Sequence, residues 1–124
     1  MAKIMVIDDD LDLINLYKSS LIAAGYDTVG VNQSDAALDM AHIVLPDIFI
    51  IDLMMPDIDG FEMCRTIRKD LRFSNTPILV VTALTDEESH TTAMEAGASD
   101  YITKPFRMDE LKARINDLLQ NINP

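Results

Sequence analysis

Short apolar runs alternate along the chain with segments in which apolar residues recur every three or four positions. The run from Lys3 to Ile7 is rich in β-branched residues and stops at three aspartates, a pattern typical of a buried strand. From Leu11 to Ala24 the apolar residues have helical spacing, and Gly25 ends the pattern. The start of the chain therefore predicts one strand followed by one helix.

The same alternation continues to the end of the chain. It predicts, in order, strand Tyr26 to Val31, helix Ser34 to His42, strand Ile48 to Ile51, helix Phe61 to about Leu71, strand Ile78 to Val81, helix Asp86 to Ala96, strand Tyr101 to Thr103 and helix Met108 to about Asn121. A turn around Pro56 to Gly60 separates the third strand from the third helix.

Strands that alternate with helices in this way predict an α/β fold with helices on both faces of a parallel sheet. Right-handed crossovers favour a doubly wound, flavodoxin-like sheet of five strands in the order 2-1-3-4-5. A chain of 124 residues has the size of one ordinary domain, and it contains no linker, repeat or low-complexity segment. We therefore expect a single domain over residues 1–124.

The charge of the chain bears on its partners and its compartment. Twenty-one acidic and ten basic side chains give a formal net charge of −11, which repels nucleic acids and anionic lipid surfaces. The single cysteine, Cys64, cannot form an intramolecular disulfide, and no apolar run approaches the roughly 18 residues of a membrane-spanning helix. No signal peptide opens the sequence. We expect a soluble cytoplasmic protein that binds neither nucleic acid nor membrane directly.

Polar residues follow the carboxyl ends of the predicted strands, where open parallel sheets bind their ligands. Asp8 and Asp9 follow the first strand, and Asp52 follows the third. Thr82 ends the fourth strand, and Lys104 follows the fifth. Because strands 1 and 3 are neighbours in the predicted order, the three aspartates should share one pocket.

Three carboxylates in one pocket repel one another unless a cation lies among them. An oxygen-only cluster without His or Cys suits Mg²⁺, and Mn²⁺ is a possible substitute. A carboxylate can also act as a nucleophile and form an aspartyl phosphate, for which Lys104 and Thr82 would supply positive charge and a hydrogen-bond donor. The sequence thus predicts a metal-dependent phosphoryl-transfer site.

Several stretches of the chain resemble the receiver domains of two-component response regulators, including the chemotaxis receivers. These stretches are Val6-Ile7-Asp8-Asp9-Asp10, Ile51-Asp52-Leu53-Met54-Met55-Pro56 with Asp59-Gly60, Val81-Thr82-Ala83, and Tyr101-Ile102-Thr103-Lys104-Pro105-Phe106. They are spread over nearly the whole chain and belong to five separate elements, so together they form a highly specific signal.

The resemblance implies a role for each residue of the acidic pocket. Asp52 looks like the phosphoacceptor, which would become a 4-aspartylphosphate and would also contact the metal. Asp9 would be the main metal carboxylate, and Asp8 would act largely through metal-bound water. Met54 would offer its backbone carbonyl oxygen to the metal.

The resemblance also implies a switch beside this pocket. Thr82 would move its hydroxyl to bond the phosphoryl group, and Tyr101 would turn inward behind it. Lys104 would pair with the phosphoryl group, and the Lys104–Pro105 peptide bond is expected to be cis, a minority state that would aim the lysine.

The implied partners are a sensor histidine kinase or phosphotransfer protein that donates the phosphoryl group, and a downstream protein or second copy bound through the face of helix 4, strand 5 and helix 5. We expect self-catalysed phosphotransfer and autodephosphorylation rather than a turnover enzyme. Met54 and Leu84 would flank the attacking water, and neither side chain can orient it, which predicts slow hydrolysis of the phosphoaspartate.

Three other interpretations are open at this point. A metal-dependent phosphatase would need a group that activates water, and only the metal carboxylates are predicted near Asp52. A receiver-like adaptor that works without phosphorylation would be expected to lack Asp52, Lys104 or an acidic pair. A flavin module would need a phosphate-cradling loop where this chain has aspartates. His42 and His90 are isolated, and Cys64 is expected to be a buried small residue.

Overall fold

The computed structural model describes residues 1–56 and 58–121, in which strands and helices alternate. The strands are β1 Lys3–Ile7, β2 Asp27–Val31, β3 Ile48–Ile51, β4 Ile78–Thr82 and β5 Asp100–Thr103. The α-helices are α1 Leu11–Ala23, α2 Ala37–Val44, α3 Gly60–Lys69, α4 Glu87–Glu95 and α5 Met108–Gln120. Each predicted element is present, although the second helix opens with a 3₁₀ turn, Ser34–Ala36, and another 3₁₀ turn, Leu71–Phe73, follows α3.

The five strands form one parallel sheet in the order β2-β1-β3-β4-β5, which confirms the predicted topology. The register between β1 and β3 pairs Ile7 with Ile51. The next residue of each chain segment is an aspartate, so Asp8 and Asp52 leave the sheet side by side. The flavodoxin-like order thus creates the neighbourhood that the sequence predicted.

The sheet has a hydrophobic cluster on each face, because alternate residues of a strand point to opposite sides. Met5 and Ile7 of β1 pack into one cluster, whereas Ile4 and Val6 pack into the other. Burial on both faces explains why the strands are continuous apolar runs. Cys64 is fully buried in the first cluster, as expected, and burial raises the pKa of its thiol to about 11.

Capping residues set the helix ends that lie near the carboxyl edge of the sheet. A side-chain oxygen of Asp10 accepts hydrogen bonds from the backbone N–H groups of Asp12 and Leu13, which fixes the start of α1. Asp59 caps α3 in the same way through the N–H of Glu62, at 2.7 Å. Asp57, in the predicted turn before α3, lies outside the described residues. In residues 1–56 and 58–121, no helix has both the length and the apolar character to cross a bilayer.

Candidate functional site

The carboxyl edge of the sheet carries a cluster of three carboxylates, called here the acidic site. It consists of Asp8, Asp9 and Asp52, each of which offers an oxygen within 4.8 Å of those of the other two. Asp8 and Asp52 are only 2% and 7% exposed, whereas Asp9 is open to solvent. The structure therefore brings together the three acidic residues that the sequence singled out.

The loops after β1 and β3 orient the two buried carboxylates in the same way. The Oδ1 atom of Asp8 accepts a hydrogen bond of 2.9 Å from the backbone N–H of Asp10, two residues further on. The Oδ1 atom of Asp52 accepts one of 3.0 Å from the N–H of Met54, again two residues on. Such local turns are typical of Asp. These turns occupy Oδ1 of Asp8 and of Asp52, so the Oδ2 atom of each side chain can contact groups on the other side of the site.

Lys104 bridges these two remaining oxygens. Its Nζ atom lies 3.0 Å from Oδ2 of Asp52 and 3.4 Å from Oδ2 of Asp8. The Lys104–Pro105 peptide bond is cis, as expected, and the N–H of Lys104 donates to the carbonyl oxygen of Thr82 at 2.7 Å. The backbone around the lysine is thus fastened to β4 while its ammonium group lies in the acidic site.

The pKa values of Asp8 and Lys104 reflect both their burial and the charges around them. Burial raises the pKa of Asp8, the N–H of Asp10 and the charge of Lys104 oppose the rise, and the charge of Asp52 adds to it. Burial alone would lower the pKa of Lys104, but the hydrogen bond to Asp52 and the charges of Asp8 and Asp52 outweigh it and raise that pKa. One ammonium group faces three carboxylates, so the site favours a further positive charge.

The donor set of the acidic site fits a hard divalent cation. All three candidate ligands are carboxylates, and the exposure of Asp9 leaves a route from solvent. Mg²⁺ prefers such oxygen ligands and keeps several of its waters, so one open side suits it. The side chain of Met54 is also exposed beside the site, which agrees with a role for its backbone alone.

Thr82 and Tyr101 lie beside the acidic site and are joined through one loop residue. Thr82 ends β4 fully buried, and its Oγ1 atom accepts a long contact of 3.4 Å from the N–H of Leu84. The Tyr101 hydroxyl donates to the carbonyl oxygen of Leu84 at 2.8 Å. Tyr101 is 8% exposed in this structure. That it turns inward when the switch operates stays a prediction.

Gly60 is a residue of the site to which the sequence analysis gave no role. A Cβ atom at this position would lie 2.4 Å from the Cα atom of Leu53 and 2.5 Å from the carbonyl oxygen of Asp52. The first turn of α3 can therefore approach the Asp52 loop only because residue 60 has no side chain. A glycine at the start of a helix, where its propensity is poor, was the available signal.

The two histidines lie apart from the acidic site. The His42 ring contacts the carboxylate of Asp70, and the His90 ring packs against Tyr101 at 4.9 Å between ring centroids. In the described part of the chain, the group of candidate metal ligands contains neither histidine.

Comparison with known proteins shows the family to which this geometry belongs. The model of the response regulator receiver domain matches residues 4–116. The chain is 39% identical over 121 residues to the "Probable transcriptional regulator ycf27" of Guillardia theta, an alignment that covers 98% of this chain and 46% of that protein. This chain belongs to the response regulator receiver domain family.

Two further comparisons define the match. The chain is 37% identical over 120 residues to the "DNA-binding dual master transcriptional regulator RpaA" of Synechocystis, covering 97% of this chain and 50% of that protein. A two-component response regulator from Clostridium difficile, known from its crystal structure, superposes with a TM-score of 0.93 at 25% identity over the whole of both chains. The chain spans about half the length of these curated relatives.

We predict that Asp8→Asn stabilises the metal-free domain at pH 7. The pKa of Asp8 is raised above 3.8 by folding, so between the unfolded and the folded pKa values the folded state binds more protons than the unfolded chain. The free energy of unfolding therefore falls as the pH rises from the unfolded to the folded pKa value of Asp8. Asparagine does not ionise, so the variant avoids this loss. Thermal melts in the presence of a chelator at pH 7 and at about pH 3, below the unfolded Asp value, measure the effect.

The exposed Asp12→Asn is the control, because it removes a carboxylate outside the acidic site. The melting temperature of Asp8→Asn should exceed that of the wild type at pH 7, and the gain should shrink at the lower pH. A lower melting temperature at pH 7, or a gain that is unchanged in acid, would contradict the explanation.

Proposed function

We propose that the domain is a phosphorylation-dependent switch in which Asp52 accepts a phosphoryl group from a phosphohistidine of a sensor histidine kinase or phosphotransfer protein. The supporting observation is the ammonium group of Lys104 within hydrogen-bond distance of Asp52, in a site with two further carboxylates. A nucleophile, a cation site and a fixed positive charge are the parts that phosphoryl transfer needs.

The transfer forms one bond and breaks another. A carboxylate oxygen of Asp52 attacks the phosphorus atom of the phosphohistidine while the phosphorus–nitrogen bond breaks. The electron pair of that bond stays on the imidazole, which leaves as the free histidine side chain of the partner. The product is an acyl phosphate on Asp52.

Asp9 would be the main carboxylate that holds Mg²⁺, with Asp8, Asp52 and the backbone carbonyl oxygen of Met54 completing the protein ligands. When bound, Mg²⁺ would supply positive charge to offset the carboxylates and the phosphoryl oxygens, and Mn²⁺ could bind to the same oxygen ligands. The exposed position of Asp9 supports this assignment, because Asp8 and Asp52 each already accept a hydrogen bond from Lys104.

Lys104 and Thr82 respond to the phosphoryl group. Lys104 moves its hydrogen bond from the Asp52 carboxylate to a phosphoryl oxygen. Thr82 exchanges its 3.4 Å contact with Leu84 for a bond from its hydroxyl to another phosphoryl oxygen. Because the Tyr101 hydroxyl is bonded to Leu84, a shift of this loop changes the setting of Tyr101. The result is a shift of population between two packings.

The output face would consist of α4, β5 and α5, which Tyr101 joins to the acidic site. Asp100 of β5 and Arg114 of α5 form an ion pair of 2.9 Å that belongs to this face. Its occupant would be a downstream protein or a second copy of the domain. The net charge of −11 argues against direct nucleic-acid binding by this chain. The DNA-binding named for RpaA is that of a protein to which this chain aligns over 50% of its length.

A metal-dependent phosphatase is the rival function, and the site favours the switch over it. A turnover enzyme needs a base that activates water for hydrolysis of the acyl phosphate. Within the described residues, the acidic site offers only the carboxylates proposed to hold the cation. Steady release of phosphate from a simple phosphate ester would favour the phosphatase.

We predict that incubation with Mg²⁺ and acetyl phosphate adds one phosphoryl group to the wild-type protein. Asp52→Asn should abolish the gain while it leaves the fold intact, since asparagine has the same shape but is not a nucleophile. Intact-mass measurement reads the gain. Asp12→Asn should be labelled like the wild type, and a chelator should prevent labelling. Stoichiometric labelling of Asp52→Asn would contradict the assignment.

We predict that the phosphoaspartate decays slowly, because the side chains of Met54 and Leu84 cannot orient an attacking water. The double substitution Met54→Asn with Leu84→Glu should speed decay by roughly tenfold or more, in line with the contribution of a positioned polar group. The time course of phosphate loss measures the rate. The pair Met54→Leu with Leu84→Met is the apolar control and should leave the rate unchanged. Equal decay of all three proteins would refute the explanation.

A further inference from the structure

The ring of His90 packs against Tyr101, which belongs to the proposed switch. The two ring centroids lie 4.9 Å apart, with 58° between the ring planes. The Tyr101 hydroxyl donates to the carbonyl oxygen of Leu84 at 2.8 Å, and the N–H of Leu84 lies 3.4 Å from the hydroxyl oxygen of Thr82. His90 is therefore the outer end of a series of contacts that starts at Thr82, beside the acidic site.

A cavity of about 490 Å³ opens to solvent beside the two rings, and both residues line it. Tyr101 is 8% exposed, whereas His90 is exposed, so the His90 ring shields part of Tyr101 from the solvent in the cavity. The cavity offers space for an outward position of the Tyr101 ring. The contact with His90 opposes that movement and favours the setting in which Tyr101 is buried and bonded to Leu84, called here the buried setting.

The charged groups that line the cavity with His90 come from α4 and α5. Arg114 is already paired with Asp100 of β5 at 2.9 Å. The other charged groups are carboxylates, so an imidazolium ion at position 90 would be attracted to the walls of the cavity. The full set of charged lining residues is Asp86, Glu87, Glu110 and Arg114.

His90 is the group of this cavity that responds near neutral pH, because imidazole changes its charge between about pH 5 and 8. Burial raises the pKa of the Tyr101 hydroxyl, and the negative charge of Asp86 raises it further, so Tyr101 stays a hydrogen-bond donor. Hydrogen bonds from the backbone N–H and the side chain of Ser89 hold the pKa of Asp86 below its ordinary value, so Asp86 stays a carboxylate. A protonated His90 would add a cation–π attraction to Tyr101, since the ring centroids lie within the range of that interaction.

We propose that His90 is a positioning residue of the switch: its ring holds Tyr101 in the buried setting, and holds it more firmly when protonated, so that a lower pH favours the phosphorylated state. The inference rests on the proposed function of Asp52, and it identifies the buried setting with the inward turn that we expect of Tyr101 after phosphorylation. The proton on His90 and the phosphoryl group would then favour the same packing, and each would strengthen the binding of the other.

Binding of beryllofluoride, a mimic of the phosphoryl group, tests the proposal at saturating Mg²⁺ and at about pH 6 and pH 8, on either side of the ordinary imidazole titration. His90→Gln removes the titrating group, and His90→Arg keeps a positive charge at both pH values. His42→Gln is the matched control, because His42 contacts Asp70 and lies apart from the acidic site. The quantity compared is the half-saturating concentration at the higher pH divided by that at the lower pH. Any pH dependence of the mimic itself is common to all the proteins and cancels in the comparison.

The ratio of the wild type and of His42→Gln should exceed that of His90→Gln about twofold to fivefold, the effect of a cation–π contact at an exposed site. His90→Arg should have the ratio of His90→Gln but bind the mimic more tightly at both pH values. Equal ratios for wild type and His90→Gln, or a smaller ratio for the wild type, would overturn the proposal and leave the switch intact. Failure of the wild type to bind the mimic at either pH would instead contradict the proposed function, and this inference with it.

The variant Tyr101→Phe tests the route from His90 to the acidic site. It keeps a ring against His90 and removes the hydroxyl that bonds Leu84. Its ratio of half-saturating concentrations should fall towards that of His90→Gln, because the buried setting is no longer linked to Leu84. A ratio equal to that of the wild type would contradict the proposal.

Discussion

Electrostatic repulsion among three carboxylates is the constraint on which the site depends. The register of β1 and β3 forces Asp8 and Asp52 together, and Asp9 follows directly. The sheet beneath them is buried on both faces, so two of these carboxylates cannot move into water without disrupting the core. Lys104 offsets part of the repulsion. The carboxylates at this edge of the sheet still outnumber the ammonium groups that contact them. A divalent cation bound among the carboxylates would reduce the remaining repulsion.

The same constraint links the site to the rest of the domain. Lys104 is fastened to Thr82 through the backbone, and Leu84 contacts both the Thr82 hydroxyl and the Tyr101 hydroxyl. Under the proposed function, a phosphoryl group on Asp52 would act on this short chain of hydrogen bonds, which ends at Tyr101 of β5. We interpret the domain as an apolar frame that holds one cluster of mutually repelling carboxylates, and the proposed function would couple this cluster to the loop after β4.

The sequence predicted the features that depend on local pattern. The strands, their order and the meeting of Asp8 with Asp52 follow from apolar periodicity and from the rules of parallel sheets. The features that it did not predict depend on contacts between distant segments. The side chain of Arg68 bonds the carbonyl oxygens of Phe73, Thr76 and Gly97, which joins α3 to the segments before β4 and β5. The buried hydroxyl of Tyr17, which has no hydrogen-bond partner among the described residues, is likewise set by packing, which no local pattern encodes.

The most direct test of the central claim is a titration of the domain with Mg²⁺, followed residue by residue through its backbone amide NMR signals. We expect saturable shifts centred on the segments that contain Asp9 and Asp52, and loss of those shifts in Asp9→Asn. Saturable shifts centred elsewhere, or none at millimolar Mg²⁺ in the folded protein, would contradict the view that the acidic site is built to hold a cation.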